Sequence, residues 1–482
     1  MQIGEFRGGG QFANFPKYSM LASDMAIPRP PGSPPGRDQN PELRLLSGSR
    51  VAVIGGGPAG SFFSYFLLTM ARQAGLDIGV DIYEPRDFSK PGQSGCNKCG
   101  GIIYGSLVQS LATDGIILPS SVVQQGIAGY TFHTDEGSVR IKAPSDEKRI
   151  ASVRRGAGPC GAALSLSASF DGFLLTLAER KGARILRERV TETVMIDGKP
   201  RVTTKSGHTE EYDLLVGALG VNSPDLKLFE GCGTGYTPPA TTRTHITEIL
   251  LGNDAIEECL GDTMHVYLLN IPRLEFAAII PKGEYATVCL LGRDIDQEMV
   301  DSFFRRPEVL KCFPAGWTPA GTRCRCFPSV TLGGADGAFG DRFVMVGDCC
   351  VSRLYKDGIG SAYRTAKTAA QTAFFAGVSK QDFHTYYRPV CVSIACDNRY
   401  GRIVFAATSL IKKLPSLRRG VMRMTNGEQA GFATPRMSGV LWDTFTGNES
   451  HHNVFFRTLH PVFLARLLYE TVTGWVFSLK ST

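Results

Sequence analysis

An α/β fold is predicted by three observations. The apolar run Val51–Gly60, VAVIGGGPAG, passes straight into a helix pattern with Phe63, Phe66, Leu67 and Met70 at helical spacing. Later apolar runs end in Gly or Asp, at Asp213–Gly220 and at Phe343–Asp348. Between them, Met264–Leu269, Phe276–Pro281 and Tyr285–Leu291 read as strands of an antiparallel sheet. The expected architecture is a Rossmann-type dinucleotide-binding domain, an antiparallel β-sheet substrate domain, and a C-terminal helical region.

Gly55, Gly57 and Gly60 have the spacing G-x-G-x-x-G. The first glycine allows the tight turn, the second lets backbone approach a pyrophosphate, and the third lets helix and strand pack closely. Pro58 and Ala59 open the helix, whose free N–H groups and dipole favour negative charge. A second strand, Val80–Tyr83, ends at Glu84, an acid placed to accept hydrogen bonds from ribose hydroxyls.

The chain has 482 residues, room for two or three domains. Residues 1–49 are rich in Gly and Pro and are expected to be a disordered leader. The dinucleotide domain is assigned to 50–240, with a hairpin inserted at about 120–150, and resumes at 336–385. The sheet domain takes 241–335 and the helical region 386–482. The net charge of +7 is mild for this length, and no nucleic-acid motif is present, so nucleic acid is not an expected partner. The 13 cysteines are scattered and odd in number, unlike a secreted disulfide framework. No signal-peptide core and no run of about 18 apolar residues is seen. A cytoplasmic location is expected.

Cys96-Asn97-Lys98-Cys99 is followed by Gly100 and Gly101. Two readings are open: a redox-active or substrate-facing loop, or a glycine turn with two ordinary thiols. A zinc site needs more ligands, and no second C-x-x-C or nearby His pair supplies them, so no metal is expected. Gly129–Ala143 alternates like a hairpin about Asp135, Glu136 and Gly137. Arg154 and Arg155 follow, either of which is suited to pair with a phosphate or to stay solvated. Asp171 is read as a helix cap and nothing more. Asp357, Gly358, Ile359 and Gly360 open a helix whose Ala362, Ala366, Ala370 and Ala373 allow close packing.

From Asn398 to Asn426 there are seven basic residues and no acid, with apolar residues interleaved. Phe455–Leu479 is rich in Leu, Phe and Val. Residues 398–482 thus read either as a peripheral contact with the inner face of a membrane or as a helical cap with a solvated face.

The ordered set of G-x-G-x-x-G at 55–60, D-L-L-V-G-A-x-G at 213–220 and V-G-D at 346–348 resembles the FAD-dependent oxidoreductases with a glutathione-reductase-like FAD domain. The resemblance spans about residues 50–390. It implies FAD as cofactor, Glu84 on the adenosine ribose, Gly347 and Asp348 on the ribityl chain, and Gly358–Gly360 facing the flavin ring. Within that group, Cys96, Cys99, Gly100 and Gly101 resemble the C-x-x-C-G-G loop of geranylgeranyl reductases, which places this loop in the active site. Arg154 or Arg155 with Phe170-Asp171 looks like their Arg…Phe-Asp segment, and Arg154 is carried over as a cofactor contact. The strand ending at Pro281-Lys282-Gly283 is similar to theirs, with Phe276 and Ala278 where they carry Tyr and Trp. Leu219 stands where hydroxylases carry Asp. The implied activity is reduction of a carbon–carbon double bond in a lipid or isoprenoid. The implied donor is NAD(P)H or ferredoxin, the latter a partner protein. A quinone-linked dehydrogenase and a flavin monooxygenase or halogenase are the alternatives.

Overall fold

The computed structural model describes residues 41–92, 99–144, 150–159, 169–319, 324–355 and 357–479. Most of the leader, Cys96 and much of the glycine-rich link after Arg155 lie outside the described residues.

The strand Arg50–Ile54 is the centre of a six-stranded sheet. It pairs in parallel with Gly79–Tyr83 on one side and Leu214–Gly217 on the other. Phe343–Met345 and Arg184–Leu186 extend the parallel pairing outward. These strands are short apolar runs buried on both faces, as a parallel sheet requires. Helix Pro58–Ala74 packs against helix Gly358–Gln371, whose buried Ala362, Ala366, Ala369 and Ala370 let the axes approach.

A seven-stranded sheet holds the strands expected at 263–292. Leu274–Lys282 lies between Thr263–Tyr267 and Tyr285–Gly292, antiparallel to both. The hairpin Gly129–Thr134/Gly137–Lys142 joins this same sheet. Its first strand runs parallel to Thr263–Tyr267, with Tyr267 opposite His133. From its position at about 120–150 the hairpin is expected as an insertion in the dinucleotide domain, and the pairing puts it in the large sheet instead. Alternation shows which residues face inward, but not which strand across the chain completes the pairing. Tyr130 and Phe132 need an apolar cover, and Trp442 and Phe445 supply it.

That cover is the C-terminal region, a set of helices from Arg388–Lys413 to Pro461–Leu479. Phe405 stacks on Phe276 with ring planes 5° apart, and Val421, Met424 and Leu441 fill the same core. Five of the seven basic residues have partners within the protein. Lys412 is buried and donates to the carbonyls of Leu274 and Glu275. Arg418 and Arg419 pair with Glu136, Arg423 with Glu470, and Arg402 donates to the Leu332 carbonyl. Helix Pro461–Leu479 turns Glu470 inward and leaves Val462, Leu464, Leu468, Tyr469 and Val472 exposed. Among the described residues no helix is long and apolar enough to cross a membrane.

Three histidines are buried in the large sheet: His133, His245 and His265. Burial lowers the first to about 3 and the other two to about 4, from an ordinary value near 6.5. The unfolded chain therefore binds protons that the folded chain refuses between these limits. Stability should be full above pH 6.5 and fall as the pH drops toward 4. Urea midpoints measured through that window check this, and a midpoint that rises on acidification would mean the imidazoles are solvated.

Candidate active site

Strand Arg50–Ile54 delivers the chain into a turn with Gly55 at φ +110°, a conformation that L side chains rarely adopt. A Cβ there would lie 2.6 Å from the Ala218 carbonyl oxygen, where the neighbouring strand ends. One at Gly60 would collide with the Gly55 carbonyl. Gly57 caps the helix without any side-chain hydrogen bond, with Pro58 at the first helical position. Ala59 packs against Gly347, whose own Cβ would sit 2.7 Å from the alanine methyl. The motifs at 55–60, 213–220 and 346–348 therefore meet at one point.

Glu84 is buried at the end of its strand. Its Oε2 accepts from the Gly56 N–H at 3.0 Å, and Arg86 pairs with both carboxylate oxygens. Asp348 is half-buried, and its Oδ1 has no hydrogen-bond partner among the described residues. Burial raises the Asp348 pKa, while the charge of Arg155 pulls it down. Asp348 sits beside Gly358, at the start of the next helix. Ile359 is buried in that first turn. Gly360 donates to the carboxylate of Asp357 at 3.0 Å, so the positive end of this helix already holds an acid. Asp357 also accepts from Tyr104 at 3.1 Å and pairs with Arg353.

Of the two arginines, Arg155 lies at the glycine turn, its Nη2 3.5 Å from where a Gly57 Cβ would be. It makes two hydrogen bonds of 3.0 Å to Asp171. Asp171 is thus more than a cap, and the cap of its helix is Ser169, which accepts from the Gly172 N–H. Burial works to lower the Arg155 pKa, and the charge and hydrogen bonds of Asp171 outweigh it and raise it. Arg155 therefore joins the turn to the start of helix Phe170–Arg180. Arg154 points elsewhere. It lies over the Tyr285 ring and donates to the Lys282 carbonyl at 3.3 Å.

The loop Cys99–Gly100–Gly101 lies against the large sheet. Gly101, at φ +66°, accepts from the Val153 N–H at 2.7 Å, and a Cβ on it would collide with the Val153 carbonyl and sit 3.0 Å from Lys282 Nζ. A Cβ on Gly100 would touch Cys289 Sγ at 3.4 Å. Gly101 N–H points at Cys99 Sγ, 3.4 Å away. Burial pushes the Cys289 thiol up to about 12, with the Lys282 charge opposing, so it stays protonated near neutral pH. Lys282 is fully buried, 3.7 Å from Glu248, and its Nζ makes no hydrogen bond among the described residues. Glu248 Oε2 accepts from Thr287 at 2.9 Å.

Lys282, Glu248 and Cys289 were not selected from sequence as site residues. Their signal was present as non-aliphatic residues in apolar strands, Glu248 in His245–Leu250, Lys282 at the end of Leu274–Lys282 and Cys289 in Tyr285–Gly292. Strand period alone does not say that they converge on the glycine loop.

No family model matches the sequence, and no curated protein matches it. Solved structures do. The chain is similar to a geranylgeranyl bacteriochlorophyll reductase-like protein from Thermoplasma acidophilum, at TM-score 0.58 and 17% identity over 75% of this chain and 87% of that one. It is similar to a flavoprotein/dehydrogenase from Cytophaga hutchinsonii, at 0.57 and 16% over 88% and 99%. It is also similar to the halogenase PltM in complex with phloroglucinol and FAD, at 0.55 and 13% over 90% and 93%. The chain has the α/β fold of these flavoproteins.

Removing one member of a buried ion pair strands the other charge, at a cost of about 3–5 kcal/mol. Lys282→Met should destabilise the protein by that order, and adding Glu248→Gln should recover most of it. Urea unfolding of the single and double variants checks this. Equal midpoints for Lys282→Met and the parent would mean the pair contributes nothing.

Proposed function

We propose that this chain is an FAD-dependent oxidoreductase that reduces a carbon–carbon double bond of a lipid or isoprenoid, in the manner of geranylgeranyl reductases. The observation that carries the reading is the open start of helix Pro58–Ala74, where Arg155, held by Asp171, stands beside Gly57 and Asp348 keeps an unpartnered carboxylate oxygen among the described residues. A thiol-bearing glycine loop packs on the large sheet against Cys289 and Lys282. The parallel sheet is read as a Rossmann-type FAD domain. The donor sets fit the cofactor. Gly57 leaves room at uncapped N–H groups for a pyrophosphate, and Asp348 keeps an unpartnered carboxylate oxygen where a ribityl hydroxyl would donate. Glu84 is the residue for the adenosine ribose.

Bound there and reduced by an external donor, NAD(P)H or ferredoxin, the flavin would supply the hydride that adds to one alkene carbon. The chain's own residues have two tasks. Arg155, held by Asp171, keeps positive charge beside Gly57 for the phosphates. The loop of Cys99, Gly100 and Gly101, backed by Cys289 and Lys282, holds a proton for the other alkene carbon. Cys99 is the donor, and solvent restores its proton. Gly101 aims its N–H at Cys99 Sγ, where it would stabilise the thiolate left after transfer. Arg154 belongs to the wall of this second site.

Purified protein should carry flavin absorbance, and Gly57→Leu should remove it. Reduced anaerobically, the flavin should be reoxidised by a polyprenyl lipid, with the saturated product seen by mass spectrometry. Cys99→Ser should slow that reoxidation about 100-fold with flavin content unchanged, the order expected for loss of a general acid. Reoxidation by quinone alone would move the protein to the electron-transfer class, and a flavin–oxygen adduct would move it to the monooxygenases.

A greasy substrate would be drawn from a bilayer, and the exposed apolar face of Pro461–Leu479 is the candidate contact. Leu468→Glu with Val472→Glu should abolish co-sedimentation with phosphatidylglycerol vesicles while leaving turnover of a detergent-dispersed substrate intact. Unchanged sedimentation would exclude this face.

A further inference from the structure

The two faces of the large sheet carry different chemistry. Cys289 packs in the core shared with the C-terminal helices. Tyr267 and Cys312 pack in a separate core, with helix Gln297–Phe304 and the segment after it. On that second face lie His133 and His265, both buried. His265 and Tyr267 are two apart on one strand and share a face, and Tyr267 is in register with His133 on the next.

His133 Nε2 stands 2.9 Å from His265 Nδ1, and Cys312 Sγ stands 3.2 Å from the same Nδ1. All three ligand atoms lie within 4.8 Å of one another. We propose that His133, His265 and Cys312 bind a zinc ion that pins the segment carrying Cys312 to the large sheet. This inference is independent of the flavin reading.

The outward nitrogens support it. His133 Nδ1 meets Ser138 Oγ at 2.6 Å, and His265 Nε2 faces the Leu260 carbonyl and Thr263 Oγ1, each at 3.4 Å. Metal-binding histidines are held in this way, with the second ring nitrogen on an oxygen that sets the tautomer. With its proton on Nε2, His265 has one lone pair on Nδ1, and two neighbours contend for it. A cation answers His133 Nε2, His265 Nδ1 and Cys312 Sγ together. Burial keeps both imidazoles neutral, so no proton need leave them.

Two imidazoles and a thiolate are a borderline-soft set, suited to zinc and unsuited to calcium or magnesium. Tetrahedral zinc, with Zn–N about 2.0–2.1 Å and Zn–S about 2.3 Å, spaces its ligand atoms roughly 3.3–3.6 Å apart. The two separations at His265 Nδ1, 2.9 and 3.2 Å, reach that spacing by opening about a few tenths of an ångström. Burial pushes the Cys312 thiol up to about 11, so binding forms the Zn–S bond and releases one proton to solvent. Tyr267 donates to Cys312 Sγ at 2.8 Å, which stabilises the bound thiolate. A water completes the shell.

The test uses the full chain, purified without chelator, with metals counted by mass spectrometry. The expected result is one zinc per chain. After chelator treatment, titration with Co²⁺ should give tetrahedral d–d bands and a thiolate-to-metal charge-transfer band. Cys312→Ser should lose the charge-transfer band, His265→Ala should weaken binding at least tenfold, and Zn²⁺ should raise the thermal midpoint of the parent only. Folded parent protein with neither zinc nor a cobalt spectrum would overturn the proposal, even if a ligand variant fails to fold. A charge-transfer band that survives in Cys312→Ser would also overturn it, and copper in place of zinc would overturn the choice of ion.

Discussion

The absence of side chains at one crossing point governs this molecule. The ends of the strands at 54, 217 and 345 converge there, and the backbone at Gly55, Gly60 and Gly347 leaves no space for a Cβ. Close packing tolerates little overlap, so a methyl at any of these positions must move a strand or a helix. The same closeness brings the start of helix Pro58–Ala74 beside Asp348 and the start of helix Gly358–Gln371. Two helix N-termini, each an electropositive end, are thereby set around one space.

Arg155 is the electrostatic counterpart of that steric constraint. It is tied to Asp171 by two hydrogen bonds and lies beside Gly57. A guanidinium stays charged in such surroundings and keeps a fixed fork geometry, which a lysine would not. The neighbouring Arg154 is turned toward Tyr285 and Lys282, because adjacent residues at a strand end point to opposite sides. Arg154 thus faces the large sheet and Arg155 the glycine turn.

The large sheet separates polar groups by face. Glu248, Lys282, Thr287 and Cys289 lie toward the glycine loop, and His133, His265 and Cys312 lie beneath it. Burying so many polar groups is costly unless each finds a partner. On the first face the answer is an ion pair beside a thiol. On the second it is a set of lone pairs turned toward one point. The C-terminal helices cover the first face with Phe405, Trp442 and Phe445, and they use their basic residues to fasten themselves to Glu136, Glu470 and backbone carbonyls.

The sequence by itself determined the elements whose signals are local. The turn at Gly55–Gly60, the strand ending at Glu84, the hairpin at 129–142 and the helix opening at Gly358 are all read from spacing, because glycine geometry and strand alternation act over a few residues. The tertiary structure decided what depends on partners distant in the chain. It placed the hairpin in the large sheet, chose Arg155 over Arg154 for the turn, and gave Asp171 a partner 16 residues away. It brought Lys282 and Cys289 to the glycine loop, and Cys312 to two histidines from other strands. The physical reason is that period and propensity say which way a side chain faces, whereas register and packing between distant segments say what it meets there.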